Sequence, residues 1–164
     1  MTRLIPDLLE EPENYDARAE YAWAGSLAHN GALSCGRATR GDFSSHKLGH
    51  ALSLLFDVPH GASLSVMMPA WARYLCKRHP VPFARLAEAV FDVFDGSEEE
   101  RAVEGIDLLE DFFRSVGAPT TLRELGVKES DIERLATNAS ARGNFGVLKS
   151  LDANDVLEIY KLAY

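Results

Sequence analysis

The chain has 164 residues and a mass of 18.1 kDa, enough for one domain of ordinary size with a real core. Its composition is globular, 46% apolar and 26% charged, and its net charge of −8 excludes a surface built for nucleic acid or anionic membrane, both of which need a basic patch. No apolar run approaches the roughly 20 residues of a membrane helix, and Met1 to Glu11 lacks the long apolar stretch of a signal peptide. Cys35 and Cys76 read as free thiols in a reducing cytoplasm, so the expected location is cytoplasmic.

Helical periodicity runs through the chain. Asn14 can cap a helix over Tyr15 to His29 whose apolar positions include Ala17, Tyr21, Ala24 and Ala28. Gly31 to Gly41 is looser, with three glycines. Asp42 or Ser44 can cap the next helix, which carries His46, His50, Leu54 and Leu55 and ends near Asp57, before Pro59. Leu64, Met67, Met68, Trp71 and Leu75 repeat at helical spacing, with Pro69 expected to kink that helix. Phe83, Leu86, Ala87, Val90, Phe91 and Phe94 follow the i, i+3, i+4, i+7 pattern.

Two capping boxes follow, Ser97 with Glu100 and Ser130 with Glu133. The first opens a helix with Ala102, Ile106, Leu109 and Phe113 inward, stopped by Gly117 and Pro119. The second opens one with Ile132, Leu135 and Ala139 inward, stopped by Gly143. Asp152 can cap a final helix with Val156, Ile159, Tyr160 and Ala163. Alternating residues bounded by hairpin turns do not occur. The expected fold is all-α, a single helical bundle over residues 1–164 with no dividing linker.

Three of the five histidines fall between positions 46 and 60. His46 and His50, four apart in His-Lys-Leu-Gly-His, leave one helical face a turn apart. His60, between Pro59 and Gly61, sits at a break that lets the chain turn back towards them. Imidazole is the commonest protein metal ligand and ordinarily titrates near neutrality, so this face is a candidate metal or proton-transfer site.

Neighbouring motifs are weaker. A metalloprotease helix needs Glu directly after its first His, and Lys47 stands there. Asp42 could share the face of His46 and His50, and a carboxylate with imidazoles suits Fe, Zn or Mn. Behind Gly41 at a helix start, however, Asp42 reads as a cap. A hydrolase built from Asp42, His46, His50 and His60 would have no identifiable base or oxyanion donor. Gly31 to Ala38 has P-loop glycine spacing, but Arg37 and Ala38 replace the required Lys and Ser/Thr. No dinucleotide fingerprint exists in the chain. Cys35 and Cys76 lack CxxC spacing and activating neighbours. His29 and His79 read as helix-end residues, and Glu98 to Glu100 as an acidic first turn.

From Tyr15 to about Tyr160 the chain resembles the C-terminal helical domain of iron-containing alcohol dehydrogenases, a dehydroquinate synthase-like α domain, in the butanol dehydrogenase-like branch. The matching stretches are NYDARAEYAWAGSLAHNG, GDFSSHKLGHALSLLFDVPHGASLSVMMPAWARY and GVLKSLDANDVLEIYKLA. The resemblance implies a two-domain enzyme in which a nucleotide-binding half meets an all-helical half around a divalent metal, Fe2+ or alternatively Zn2+. On that pattern His46 and His60 are metal ligands, and His50 is a non-ligand histidine near the nicotinamide that helps proton movement.

The same resemblance implies NAD(P) in the full architecture, not bound by this chain alone, and a small alcohol or aldehyde substrate. The family's other two ligands, an Asp and a His on an upstream helix, have no counterpart in these residues, nor does the upstream nucleotide-binding domain. The expectation is therefore the metal-site half of an alcohol dehydrogenase or aldehyde reductase, holding a half-site and inactive by itself. Its expected partner is that missing half or a second copy in a homo-oligomer. The alternative is a non-catalytic helical binding or assembly module with vestigial histidines.

Overall fold

The computed structural model describes Thr2, residues 4–36 and residues 41–164. Among them the protein is all-α, as the periodicity predicts: α1 (Leu4–Glu10), α2 (Tyr15–His29), α3 (Ser44–Phe56), α4 (His60–Cys76), α5 (Val81–Phe91), α6 (Glu98–Ser115), α7 (Ile132–Ser140) and α8 (Ala153–Leu162), with 3-10 turns at Ala32–Ser34 and Glu129–Asp131. An isolated bridge between Phe145 and Leu151 is the one β pairing among the described residues. No helix there is long and apolar enough to cross a membrane. Cys35 is an exposed free thiol and Cys76 a buried one.

The chain forms two compact units, Met1–Gly41 and Asp42–Tyr164. In the first, α1 packs on α2. The sequence pattern gives no sign of α1, because seven residues hold too few apolar repeats to define a period, although Pro6 falls in its first turn, where a missing N–H costs nothing. Asn14 caps α2 as expected, its side chain accepting from the Ala17 amide at 3.1 Å. Ala17 is buried, whereas Tyr21 and Ala28 of the same expected inward face are exposed. Arg37 and Ala38 of the P-loop-like spacing lie outside the described residues.

The second unit is built around α4, which contacts α3, α5, α6 and α8. A helix surrounded in this way must be apolar or small on most sides, and α4 buries Ser63, Ser65, Val66, Met67, Pro69, Ala70, Ala72, Leu75 and Cys76. It runs through Pro69 as one helix. Its buried serine Ser65 donates to the Pro119 carbonyl at 2.7 Å, fixing the segment after α6. Leu48 and Leu52 of α3, Ile106 of α6, Leu135 of α7 and Val156, Ile159 and Tyr160 of α8 complete the core.

Local chemistry sets most boundaries. Ser97 and Glu100 form the expected capping box of α6, and the Asp152 side chain accepts from the Asn154 and Asp155 amides to start α8. The expected Ser130–Glu133 box does not form. Ser130 lies inside the 3-10 turn, α7 starts at Ile132, and Asp131 reaches back to the Lys128 amide at 3.4 Å instead. The Phe83 pattern also ends early: α5 stops at Phe91 because Asp92 turns left-handed at φ 57°, leaving Phe94 exposed.

Helices α5 and α6 approach so closely that a Cβ at Gly105 would stand 2.6 Å from the Ala87 Cβ. Overpacking of this kind costs about 1–3 kcal/mol and outweighs the roughly 1 kcal/mol helix-propensity gain of Ala over Gly. Gly105→Ala is therefore expected to lower stability in urea unfolding, and an equal or more stable variant would refute the contact.

Candidate functional site

Helix α3 sets the first two histidines. His46 and His50 are one turn apart on it, His46 half-buried and His50 exposed. The chain then reverses in three residues. Asp57 adopts the left-handed conformation at φ 54°, the Ser53 hydroxyl donates to the Val58 carbonyl at 2.8 Å, and Pro59 starts α4. His60 is the first residue of α4. Its ring lies 5.4 Å from that of His46 and 5.4 Å from that of His50, centre to centre. The structure thus brings together the three histidines that the sequence singles out. Phe43 presents its edge to His46 at 5.1 Å.

The approach depends on a residue that the sequence reading did not single out. Gly49 sits between the two histidines in mid-helix, and a Cβ there would stand 2.7 Å from the Ser63 hydroxyl of α4. Glycine inside a helix costs about 1 kcal/mol relative to alanine, so its presence in His-Lys-Leu-Gly-His was a signal of close packing. Ser63 is fully buried and donates to the His60 carbonyl at 2.8 Å, tying that contact to the third histidine.

Asp42 is occupied elsewhere. One carboxylate oxygen accepts from the Ser44 amide at 2.9 Å and from its hydroxyl, and the other from the Val147 and Leu148 amides at 2.9 and 2.8 Å. The expected cap is shifted: Phe43 is the N-cap of α3 and makes no side-chain cap bond, while Asp42, one residue further out, satisfies the Ser44 amide and adds a clamp on a loop over a hundred residues away. Burial raises the Asp42 carboxyl, but the hydrogen bonds from the Ser44 side chain and from the Leu148, Ser44 and Val147 amides outweigh it and hold it below its ordinary value. Gly146 leads into this loop at φ 111°, where a Cβ would meet the Lys149 carbonyl at 2.2 Å. On the other side of α3, the buried Tyr160 donates to the Leu48 carbonyl at 2.7 Å.

The donor set can be compared with what a metal requires. Two imidazoles on one tetrahedral ion, each nitrogen about 2.1 Å from it, place their ring centres on the order of 5 Å apart. The observed spacing fits His60 with either partner. Among the described residues no cluster of three or more His, Cys, Asp or Glu side chains is arranged to enclose an ion. The ring spacing thus suits two imidazoles on one ion, His60 with His46 or with His50. His29 closes α2 and His79 lies just beyond α4.

A family model described as the Fe-containing alcohol dehydrogenase family, C-terminal, matches residues 1–164. The chain belongs to the iron-containing alcohol dehydrogenase family. Probable NADH-dependent butanol dehydrogenase 1 of Bacillus subtilis (strain 168) is 39% identical over 158 residues, which are 95% of this chain and 40% of that protein. An NADPH-dependent aldehyde reductase of Escherichia coli (strain K12) is 33% identical over 138 residues, 84% of this chain and 35% of that one. The crystal structure of NADH-dependent butanol dehydrogenase A from Thermotoga maritima superposes with a TM-score of 0.93 at 34% identity, covering 99% of this chain and 42% of that one. The chain spans about two fifths of the length of curated relatives such as these.

Two outcomes are expected from the geometry. Gly49→Ala should lower stability by about 1–3 kcal/mol, and Ser63→Ala in the same protein should recover most of the loss by removing the hydroxyl it strikes; a double-mutant cycle without coupling would contradict the contact. The depressed Asp42 carboxyl contributes stability that is complete above its unfolded pKa, about 3.9, and is lost as pH falls through the lower folded value. The stability gap between the parent protein and Asp42→Asn should therefore shrink on acidification below about pH 4, where both carry a neutral side chain. A gap unchanged down to pH 2 would overturn that account.

Proposed function

We propose that these residues are the metal-site half of a metal-dependent, NAD(P)-dependent alcohol dehydrogenase or aldehyde reductase, with His46 and His60 as ligands to Fe2+, or alternatively Zn2+. The observation that carries this reading is the approach of both α3 histidines to His60 at 5.4 Å, within a chain that belongs to the iron-containing family. The spacing alone admits His46 or His50 as the partner of His60, and the family resemblance assigns His46.

A divalent ion held there supplies Lewis-acid polarisation of an alcohol or carbonyl oxygen. The chain's own residues do the remainder. His50 is exposed next to His60 and gives or takes the proton that accompanies interconversion of alcohol and aldehyde. Phe43, edge-on to His46, restricts that ring and shields it from water on one side. Gly49 and Ser63 set the separation of the two helices. A nicotinamide, expected to be held by residues outside these 164, would supply the hydride chemistry when bound. With only two imidazoles committed to the ion, the 164 residues alone are expected to bind metal weakly and to turn nothing over.

The alternative, a non-catalytic assembly module, draws on the exposed Tyr15, Trp23 and Leu33 of the first unit, at 79%, 61% and 65% exposure. Titration of chelator-treated protein with Zn2+ and with anaerobic Fe2+ in a calorimeter separates the two. Weak binding reduced at least about tenfold by His46→Ala and by His60→Ala is the expected result. Binding indifferent to both substitutions, or measurable turnover of butanal with NAD(P)H by the purified chain, would overturn it.

A further inference from the structure

The cleft that holds His50 has an uncommon charge for this protein. It runs between α3 and the end of α7, about 460 Å3 in volume, with Lys47, His50 and Leu54 on one wall and Asn138, Arg142 and Phe145 on the other. In a chain of net charge −8, this cleft is lined by two full cations and by no carboxylate. The cleft lined by Arg73, Tyr74 and Lys149 differs: Glu158 lines it, Arg73 pairs with Asp107 and Glu110, and Lys149 pairs with Asp155. Lys47 and Arg142 form no ion pair among the described residues.

Their placement is fixed from below. Lys47 and His50 lie three apart on α3 and share a face. The Lys47 ammonium is 5.0 Å above the ring of Phe145. That ring is buried, and its backbone is paired to Leu151 in both directions at 3.3 and 2.7 Å. Arg142 follows the last turn of α7, where a cation offsets the negative end of the helix dipole. That role explains an arginine there; it does not explain why both walls of the cleft are without acid.

We infer that this cleft receives the anionic end, a carboxylate or phosphate, of a short substrate whose reactive carbon lies at His50, so that Lys47 and Arg142 are specificity-determining residues. The inference rests on the reading of His50 as the histidine beside the reacting carbon. A volume of this size accommodates a chain of a few carbons with its charged group. Arg142 presents the planar fork that matches either anion bidentately, and Lys47 adds a point charge. Leu54, 72% exposed at the mouth, gains an apolar contact when the substrate's methylenes cover it.

The test uses the metal-free, chelator-treated chain, so its outcome is independent of whether His46 and His60 bind a metal. Butanoate, 1-butanol and inorganic phosphate are titrated separately while backbone amide shifts are followed by NMR. Butanoate should move the amides around Lys47, Asn138 and Arg142 and bind at least about tenfold more tightly than 1-butanol. Arg142→Gln and Lys47→Gln should each weaken butanoate at least fivefold, and Lys161→Gln, an exposed cation on α8 away from this cleft, should leave it unchanged. Phosphate competing more weakly than butanoate assigns a carboxylate substrate; phosphate binding more tightly assigns a phosphorylated one. Absent butanoate and phosphate binding, equal binding of butanol, persistence in the Lys47→Gln, Arg142→Gln double variant, or an equal loss in Lys161→Gln would each overturn the inference.

Discussion

The contact between Gly49 and Ser63 governs the rest of the site. Helices with ordinary side chains at a crossing sit about 8–10 Å apart, and a missing Cβ lets α3 and α4 come closer at this point. The three imidazoles then converge at the α3–α4 junction. Ser63, buried against Gly49, also bonds the carbonyl of His60, so the residue that sets helix separation is coupled to the one at the head of α4. The connection of only three residues, turned by Asp57 in the left-handed region, leaves little slack for another arrangement.

Two distant attachments keep α3 in place. Asp42 clamps the 147–148 loop at the helix start, and Tyr160 reaches the Leu48 carbonyl from α8. The Leu148 bond is part-buried and the Tyr160 bond buried, and there an unsatisfied partner would cost the desolvation of that group. Lys47 over Phe145 adds a third link on the cleft side. The face carrying the histidines is thereby supported by segments that bear none of its proposed chemistry.

What could be read in the sequence was what is local. Asn14, Ser97 and Asp152 mark helix starts because capping is decided within three or four residues, and their bonds form as expected. The histidines were legible for the same reason: spacing of four on a helix, then a proline-marked turn, needs no knowledge of the remote chain. Ser130 failed as a cap because Asp131 offered a competing carboxylate one residue on, and a 3-10 turn took the place of the first helical turn. Phe94 fitted the apolar period but fell beyond a left-handed aspartate, a backbone choice that periodicity does not register. The loop clamp at Asp42, the Tyr160 bond and the acid-free cleft beside His50 were illegible, because each joins residues that become neighbours only when the chain is folded. Gly49 lay between these cases, visible as an oddity in a helix but without a stated partner.

The bond from Tyr160 to Leu48 also bears on how the site comes into being. It spans 112 positions, and the clamp from Asp42 to Leu148 spans 106. A chain leaving the ribosome N-terminal end first presents α3 and α4 long before either attachment exists. The histidine pair can meet its neighbour early, through contacts only a dozen residues apart, but its backing closes only after residue 160 has emerged. Until α7 emerges α3 is held by α4 alone, and the Tyr160 bond from α8 is still missing after that. The order of synthesis thus separates the grouping of the three rings from their rigid support.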